Sequence, residues 1–236
     1  MKQIIAIQGY KNSGKDEVGE MLKYILNTPS FLHSYKLYKL LKPFLRYSKN
    51  KFHTVSYAEK LKQAIAALLN VDRSFLDNRD FKENYYVDFN TLTIYHKDEV
   101  NEDKILNDSR FAKEIKRLDK WLTINYFLSV RQILQYYGTQ VMRSFFGEDL
   151  WILCTLKSKY NKIIITDQRF INEHKRSVEN KAIVIHITRP NTKPGVHSSE
   201  SELEELLNKK MYNFLIENNS TFEHLFNGCK KIVKTL

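Results

Sequence analysis

The sequence lacks the cysteine and histidine patterns of disulfide-rich and zinc-binding proteins. Its two cysteines, Cys154 and Cys229, are too few and too far apart for a disulfide framework or a zinc cluster. The seven histidines show no metal-binding spacing such as HExxH. No apolar run approaches the roughly 20 residues that span a bilayer, and the apolar stretch at the N-terminus is too short for a signal-peptide core. These absences predict a soluble cytoplasmic protein.

The sequence does contain enough apolar material for a folded core. Of the 236 residues, 42% are hydrophobic and 13% aromatic, which excludes a disordered or fibrous chain and predicts a single domain with insertions. The 38 basic and 27 acidic residues leave a net charge of +11, which favours anionic partners. Nucleic acid, anionic lipid and polyphosphate all fit that charge, so motifs must decide between them.

Short apolar runs that indicate buried strands alternate with helical patterns. The run from Ile4 to Ile7 ends at Gly9, as expected of a strand buried on both faces. Apolar residues then recur at helical spacing from Val18 to Ile25, and Pro29 ends that helix. This alternation indicates an α/β fold with a parallel sheet and helices on both faces. Further strands are predicted at 52–57, 163–165, 183–187 and 213–216.

Two regions depart from the alternation. Residues 31–51 interleave lysines with aromatic residues, which fits a nucleic-acid or membrane-surface role. Their leucines, however, favour an inserted amphipathic helix that ends before Pro43. Residues 70–107 have a weak pattern, with a predicted hairpin around Asn90-Thr91. Other predicted helices are a stripe of Leu61, Ile65 and Leu68, a stripe at 111–122, a helix at 129–146, and a C-terminal helix through Leu225.

The stretch GYKNSGKD, from Gly9 to Asp16, fits the pattern G-x-x-x-x-G-K between a buried strand and a helix. Its glycines let main-chain N–H groups and the helix N-terminus face a polyphosphate, and Lys15 would reach the β- and γ-phosphates. Asp16 occupies the position where Ser or Thr usually binds Mg²⁺. A carboxylate there can hold the ion directly or through water, so we expect strict dependence on Mg²⁺.

Two further features support a phosphate site. Asp167 ends the strand KIIIT, where an acidic residue orders Mg²⁺ in phosphate-loop enzymes, although an aspartate there can also cap a helix. The stretch RQILQYYGTQVMR places Arg131, Gln135, Thr139 and Arg143 at i, i+4 intervals, a polar stripe if the helix is continuous. A solvated face would explain the stripe too. It has no acidic partner until Glu148, however, and two fork-shaped guanidinium groups suit bidentate binding of phosphate, so a phosphate site is predicted.

The loop after Arg189-Pro190 is basic and polar and contains Lys193 and His197. Such a loop could be a lid that closes on phosphates, or a plain connection. Ser199 or Ser201, followed three residues later by a glutamate, predicts the start of the next helix.

Together these stretches resemble the bacteriophage-type deoxynucleoside monophosphate kinases, a branch of the phosphate-loop nucleoside monophosphate kinase fold. The phosphate loop alone is shared by many ATPases, whereas the combination of RQxLQxxGT, TDxRFxNE and ITRP is far more specific. The matching stretches are GYKNSGKD, SYAEKLKQAI, SVRQILQYYGTQVMR with Trp151, IITDQRFINEH, VIHITRP and ENNSTFEHLF.

The resemblance implies a five-stranded parallel sheet in the order 2-3-1-4-5, with insertions at about 31–51 and 72–128 and a lid at about 189–201. The 72–128 insertion would be the monophosphate-binding region. The implied activity is transfer of the ATP γ-phosphoryl group to a deoxynucleoside monophosphate, with Mg²⁺, giving ADP and the diphosphate. A homodimer is common in the relatives, and neither a membrane nor nucleic acid is an expected partner.

The resemblance also assigns residues to each substrate, and Arg143 is added from its place in the stripe. Glu17 departs from the small hydroxylic residue that often follows the loop aspartate. The predicted catalytic set is Lys15, Arg131, Asp167 and Arg189, and the predicted metal ligands are Asp16 and Asp167. The ATP set is Asn12, Ser13, Gly14, Lys15, Asp16, Glu17 and Arg189. The acceptor set is Lys11, Lys62, Arg131, Gln135, Gly138, Thr139, Arg143, Trp151, Asp167, Arg169 and Glu173.

Two alternatives stay open. The same fold could phosphorylate another small phosphorylated or alcohol acceptor. A nucleic-acid-binding ATPase could instead use the basic 31–51 insertion, which predicts hydrolysis stimulated by DNA or RNA and binding that weakens steeply with salt.

Overall fold

The computed structural model describes residues 2–106, 126–190, 192 and 198–236, with the main chain alone at 198–200. The chain divides into two compact units, Met1–Tyr57 with Ile152–Leu236, and Ala58–Trp151. The helix predicted at 111–122 and residues 191 and 193–197 of the predicted lid lie outside the described residues.

The elements are numbered along the chain. The strands are β1 (Gln3–Gln8), β2 (Phe52–Val55), β3 (Tyr85–Asp88), β4 (Thr93–His96), β5 (Leu128–Ser129), β6 (Lys162–Gln168), β7 (Ile183–Thr188) and β8 (Phe214–Glu217). The helices are α1 (Lys15–Asn27), α2 (Tyr35–Leu41), α3 (Glu59–Leu68), α4 (Arg79–Asn84), α5 (Val130–Gln135), α6 (Ser144–Phe146), α7 (Leu150–Leu156), α8 (Ile171–Glu179), α9 (Ser198–Asn208) and α10 (Phe222–Thr235).

The first unit is built on a five-stranded parallel sheet in the order β2-β6-β1-β7-β8, with helices on both faces. Counted along the chain within this sheet, the order is 2-3-1-4-5, as the resemblance implied. β1 is central because Ile4 to Ile7 are almost fully buried and fit between two other apolar strands. Its register sets Ile5 opposite Ile164 of β6 and Ile183 of β7. All five predicted strands of this sheet are confirmed.

One side of the core of this unit is aromatic. Tyr24 of α1, Tyr38 of α2 and Phe226 of α10 are each at most 2% exposed, and their rings lie 5.3 to 6.2 Å apart between centroids. These contacts hold α2 against α1 and α10. The basic insertion thus contains the predicted amphipathic helix, which ends before Pro43.

The second unit contains a small antiparallel sheet in the order β4-β3-β5 and a separate apolar core. The predicted hairpin is confirmed, with Tyr86 paired to Tyr95. Ile65 of α3 and Leu128, Val130 and Ile133 around β5 and α5 are buried in this core. Turns of 3-10 helix occur at Arg73–Leu76, Lys97–Glu99 and Glu102–Lys104.

Two details of the helix predictions were wrong. Leu68 is 45% exposed whereas Leu69 is buried, so the buried stripe of α3 does not extend to its C-terminal residue. The predicted helix at 129–146 is continuous from Val130 but is π-helical over Tyr136–Arg143. A π-helical turn bonds i to i+5, so α-helical spacing applies to Arg131 and Gln135 and not to Thr139 and Arg143.

In the part of the chain that the structure describes, no helix combines the length and the apolar character needed to cross a bilayer.

Candidate active site

The phosphate loop connects β1 to α1 and depends on its two glycines. A Cβ atom at Gly9 would lie 2.5 Å from the carbonyl oxygen of Ile187, a main-chain atom that cannot move aside easily. Gly14 has φ of 102° just before α1, in the region that favours glycine. The loop can therefore follow this path only with glycine at both ends, as the sequence pattern predicted.

The Lys15 side chain folds back across the loop. Its ammonium nitrogen donates to the carbonyl oxygens of Gly9 and Tyr10, each at 2.6 Å, and the residue is 7% exposed. The hydroxyl oxygen of Ser13 is buried and has no hydrogen-bond partner among the described residues. The loop thus contains a buried ammonium group and a buried hydroxyl that has no hydrogen-bond partner among the described residues.

The two predicted metal ligands lie in the same unit as the loop. Asp16 is exposed in the first turn of α1. Asp167 is the penultimate residue of β6, and its two oxygens accept hydrogen bonds from the Ser56 hydroxyl at 2.6 Å and from the Tyr57 N–H at 2.7 Å. These contacts orient the Asp167 carboxylate from the end of β2. Both side chains offer the carboxylate oxygens that Mg²⁺ prefers.

Arg189 and Asn218 contact the phosphate loop from the ends of β7 and β8. The Arg189 guanidinium donates to the carbonyl oxygen of Asn12 at 3.2 Å. The Asn218 amide donates to the carbonyl oxygen of Ser13 at 2.9 Å. Asn218 was missed as a site residue, although it belongs to the matching stretch ENNSTFEHLF.

Glu17 has a different set of contacts from the rest of the predicted ATP set. Its carboxylate accepts a hydrogen bond from the Tyr38 hydroxyl at 2.7 Å and pairs with the Lys42 ammonium group at 3.4 Å. Burial, and next the Glu17 carboxylate, raise the pKa of Tyr38. Glu17 therefore links α1 to α2, and its contact with ATP stays a prediction.

A row of buried polar side chains crosses the sheet directly before the loop. Gln168 of β6 donates to the Gln8 side-chain oxygen at 2.8 Å, and the Gln8 side-chain nitrogen lies 3.2 Å from Nδ1 of His186 in β7. Ser177 of α8 donates to the Gln168 side-chain oxygen at 2.7 Å. The row connects the strand that leads into the loop with the strand that contains Asp167.

His186 is held neutral within this row. Burial lowers the pKa of His186 to about 4, and the charge of Lys15 acts in the same direction. The Gln8 nitrogen donates to the Met211 carbonyl oxygen at 3.0 Å and faces Nδ1 of His186, so Nδ1 is the acceptor and the proton lies on Nε2. Nε2 has no hydrogen-bond partner among the described residues.

Arg169 and Glu173 lie where β6 passes into α8. The Glu173 carboxylate accepts from the N–H groups of Arg169 at 2.7 Å and Phe170 at 3.1 Å, so it caps the helix and is 6% exposed. Their assignment to the acceptor, like that of Lys11, stays a prediction.

The second unit contains a cluster of cations on α3, α4 and α5. Lys62 pairs with Asp77 at 2.8 Å, and Arg131 pairs with Glu83 at 2.8 Å. The expectation that Arg131 lacks an acidic partner was wrong, because Glu83 is distant in sequence and reaches Arg131 only in the folded unit. Nε of Arg131 is buried without a hydrogen bond in the described part of the chain.

Lys82 completes this cluster and was not predicted. Burial lowers the pKa of Lys82 to about 8, and the charges of Lys62 and Arg131 act in the same direction. The carboxylates of Asp77 and Glu83 oppose that shift. Lys62 and Arg131 both belong to the predicted acceptor set, and the positive charge of each disfavours the charged form of Lys82.

Gly138 and Trp151, also predicted for the acceptor, contact each other. The Trp151 indole N–H donates to the Gly138 carbonyl oxygen at 2.9 Å. A Cβ at Gly138 would lie 2.5 Å from Cδ2 of Leu61, so glycine lets the π-helical turn approach α3. Gln135, Thr139 and Arg143 are partly buried on the same helical segment, and their role stays a prediction.

The first unit has the architecture of a phosphate-loop nucleotide-binding protein, because the loop leaves the central strand of a parallel sheet at its carboxyl end. A family model for deoxynucleotide monophosphate kinases matches residues 3–229. The chain belongs to this family and is an ATP-dependent kinase of deoxynucleoside monophosphates.

Other comparisons add little. No significant match is found among curated protein sequences. Among solved structures, the chain is similar to a dephospho-CoA kinase from Campylobacter jejuni, with 14% identity over 99% of this chain and 96% of that chain. The TM-score is 0.34, so no argument rests on that likeness.

Proposed function

We propose that the phosphate loop binds the β- and γ-phosphates of ATP, with Lys15 as the principal cation. The observation that carries this proposal is the position of the Lys15 ammonium group, 2.6 Å from two loop carbonyl oxygens. The donor phosphates would take over these hydrogen bonds and also meet the loop N–H groups. Arg189 would add a second cation, which its hydrogen bond to Asn12 supports.

Mg²⁺ would be held by Asp16 and Asp167, directly or through water, and when bound it supplies positive charge that offsets charge on the transferring group. The oxygen-only donor set fits this ion. The hydrogen bonds from Ser56 and Tyr57 would keep the Asp167 carboxylate in one orientation. Removal of divalent cations with EDTA is therefore expected to abolish turnover, and added Mg²⁺ to restore it.

The acceptor would be bound through its phosphate by Lys62 and Arg131. Their support is the cation cluster of the second unit, in which an incoming dianion would offset mutual repulsion between ammonium and guanidinium groups. Trp151, Gln135 and Thr139 would grip the base or sugar by stacking and hydrogen bonding. Arg169 is assigned to the acceptor phosphate by the resemblance alone.

The reaction needs no covalent enzyme intermediate. An oxygen of the acceptor phosphate attacks the γ-phosphorus of ATP in line, the bond from that phosphorus to the β–γ bridging oxygen breaks, and ADP leaves. Catalysis then consists of positioning two anionic substrates and neutralising charge, which is the capacity that a buried lysine and a set of guanidinium groups provide.

The direct test is a substrate panel. The purified chain is incubated with Mg-ATP and each deoxynucleoside or ribonucleoside monophosphate in turn, and the products are separated by ion-exchange chromatography. Equal amounts of ADP and one diphosphate support the proposal and identify the base and sugar accepted. ADP without a diphosphate, or hydrolysis stimulated by single-stranded DNA, would favour the ATPase alternative.

The cellular setting follows from this chemistry. Both substrates are small and charged, so we propose that the protein acts in the cytoplasm without a membrane or nucleic-acid partner. A homodimer is proposed from the resemblance, and light scattering of the purified chain tests it.

A further inference from the structure

Lys82 differs from its cationic neighbours in the second unit. Lys62, Arg73 and Arg131 each form an ion pair with a carboxylate at 3.0 Å or less. Lys82 is partly buried in α4, and its side chain forms neither an ion pair nor a hydrogen bond within the described ranges. Within those ranges, all three N–H donors of the Lys82 ammonium group are therefore available to a ligand.

The charged groups around Lys82 come from several elements. Lys62 lies on α3, Asp77 follows the 3-10 turn, Glu83 is its neighbour on α4, and Arg131 lies on α5. Each of the two carboxylates is already bonded to another cation. A third cation beside two others raises the electrostatic energy of the unliganded unit, and a phosphate dianion would lower it.

We propose that Lys82 is a binding residue for the phosphate group of the deoxynucleoside monophosphate acceptor, acting beside Lys62 and Arg131. This inference rests on the proposed function and deepens it, since the resemblance assigned no role to this position. An ammonium group with free donors suits a phosphate, which accepts hydrogen bonds on three oxygens.

The inference predicts a specific pH dependence. In the enzyme without bound acceptor the pKa of Lys82 is about 8, so its ammonium group loses its charge between about pH 7 and pH 9. The acceptor phosphate, with a second pKa of about 6, is already a dianion over that range. The value of kcat/KM for the acceptor should therefore fall as pH rises through about 8, because that ratio reports the free enzyme. The KM for ATP should not follow it.

The experiment compares Lys82→Met, which keeps most of the aliphatic stem without the charge, with Lys82→Arg, which keeps a permanent charge. Lys60→Gln is the matched control, since Lys60 is an exposed lysine on α3. Lys82→Met is expected to raise the acceptor KM about 10- to 100-fold with the KM for ATP within twofold of wild type. Lys82→Arg should keep activity and lose the fall near pH 8, and Lys60→Gln should behave as wild type.

Two outcomes would overturn the inference. One is an acceptor KM in Lys82→Met within twofold of wild type, and the other is a fall near pH 8 that persists in Lys82→Arg. If Lys82→Met does not fold, as judged by circular dichroism, the pH profile of Lys82→Arg still decides. A wild-type chain that phosphorylates no deoxynucleoside monophosphate would overturn the proposed function as well, which separates the two failures.

Discussion

Acid should destabilise this protein through one buried histidine. His186 is 1% exposed, and its pKa is lowered from 6.5 to about 4 by burial and by the charge of Lys15. In the unfolded chain the same imidazole has its ordinary pKa of about 6.5. Between these values the unfolded state binds a proton that the folded state does not. Stability is therefore fully present above pH 6.5 and is lost as the pH falls towards 4.

The size of the effect follows from the shift. One pKa unit corresponds to about 1.36 kcal/mol, so the full loss is about 3 kcal/mol, of which about 2 kcal/mol is expected by pH 5. For a chain of this length, 1 kcal/mol changes the melting temperature by about 2–4 °C, so His186 should account for a fall of about 4–8 °C between pH 7.5 and pH 5. Burial also lowers the pKa of His174, which adds a loss of its own.

A variant measures how much of the fall in melting temperature between pH 7.5 and pH 5 is due to His186. His186→Asn keeps an oxygen that can accept the hydrogen bond from Gln8 but cannot be protonated in this range. Melting temperatures are measured by circular dichroism at pH 7.5, 6 and 5 at constant ionic strength. The fall in the variant should be about 4–8 °C smaller than in wild type. His224→Asn, on the exposed face of α10, is the control and should melt with the wild-type pH dependence.

The test compares how steeply the melting temperature of each protein falls with pH. The melting temperature at a single pH is not decisive, because His186→Asn can change stability at every pH by altering packing. If the variant and the wild type lose the same number of degrees between pH 7.5 and pH 5, His186 is not held neutral by the fold. The row of polar side chains before the phosphate loop would then need another explanation.

The remaining predictions concern the loop and the acceptor cluster. Lys15→Met should lower kcat about 10²-fold or more with little change in the circular dichroism spectrum, and near-normal turnover would contradict the assigned donor site. Arg131→Ala should raise the KM for the acceptor more than the KM for ATP in steady-state assays, and a defect confined to ATP would reverse the division of substrates. Gly9→Ala should cost about 1–3 kcal/mol in urea unfolding because its Cβ meets the Ile187 carbonyl oxygen at 2.5 Å. An unchanged urea midpoint would show that the loop can move aside.

Much of the first unit could be predicted from the sequence because its signals are local. A run such as Ile4 to Ile7 is apolar at every position, so both of its faces must be buried, as they are in the interior of a parallel sheet. Glycine and lysine in the phosphate loop are required by the path of a few consecutive residues. The hairpin around Asn90-Thr91 was also local, since strand alternation and turn residues fall within about ten residues.

The acceptor cluster was only partly predictable because its members interact across large separations in sequence. Arg131 and Lys62 were found through motifs, but Glu83 and Lys82 were not, since nothing in the stretch around them distinguishes them from other surface charges. The row of polar side chains from Gln168 through Gln8 to His186 was also not predictable, because these residues lie far apart in sequence. A glutamine or histidine within an apolar strand gives no sign of which polar group will lie beside it.

Local sequence patterns were thus sufficient to predict the parallel strands and the path of the phosphate loop, and the resemblance supplied the strand order. The roles of Lys15 and Asp167 stay predictions. Side-chain environments required the folded units: the neutral state of His186, the pairing of Arg131 with Glu83, the exposure of Leu68 and the π-helical turn from Tyr136. The reason is physical. Burial and electrostatic interaction depend on distances through space, which a sequence determines only after every element has packed.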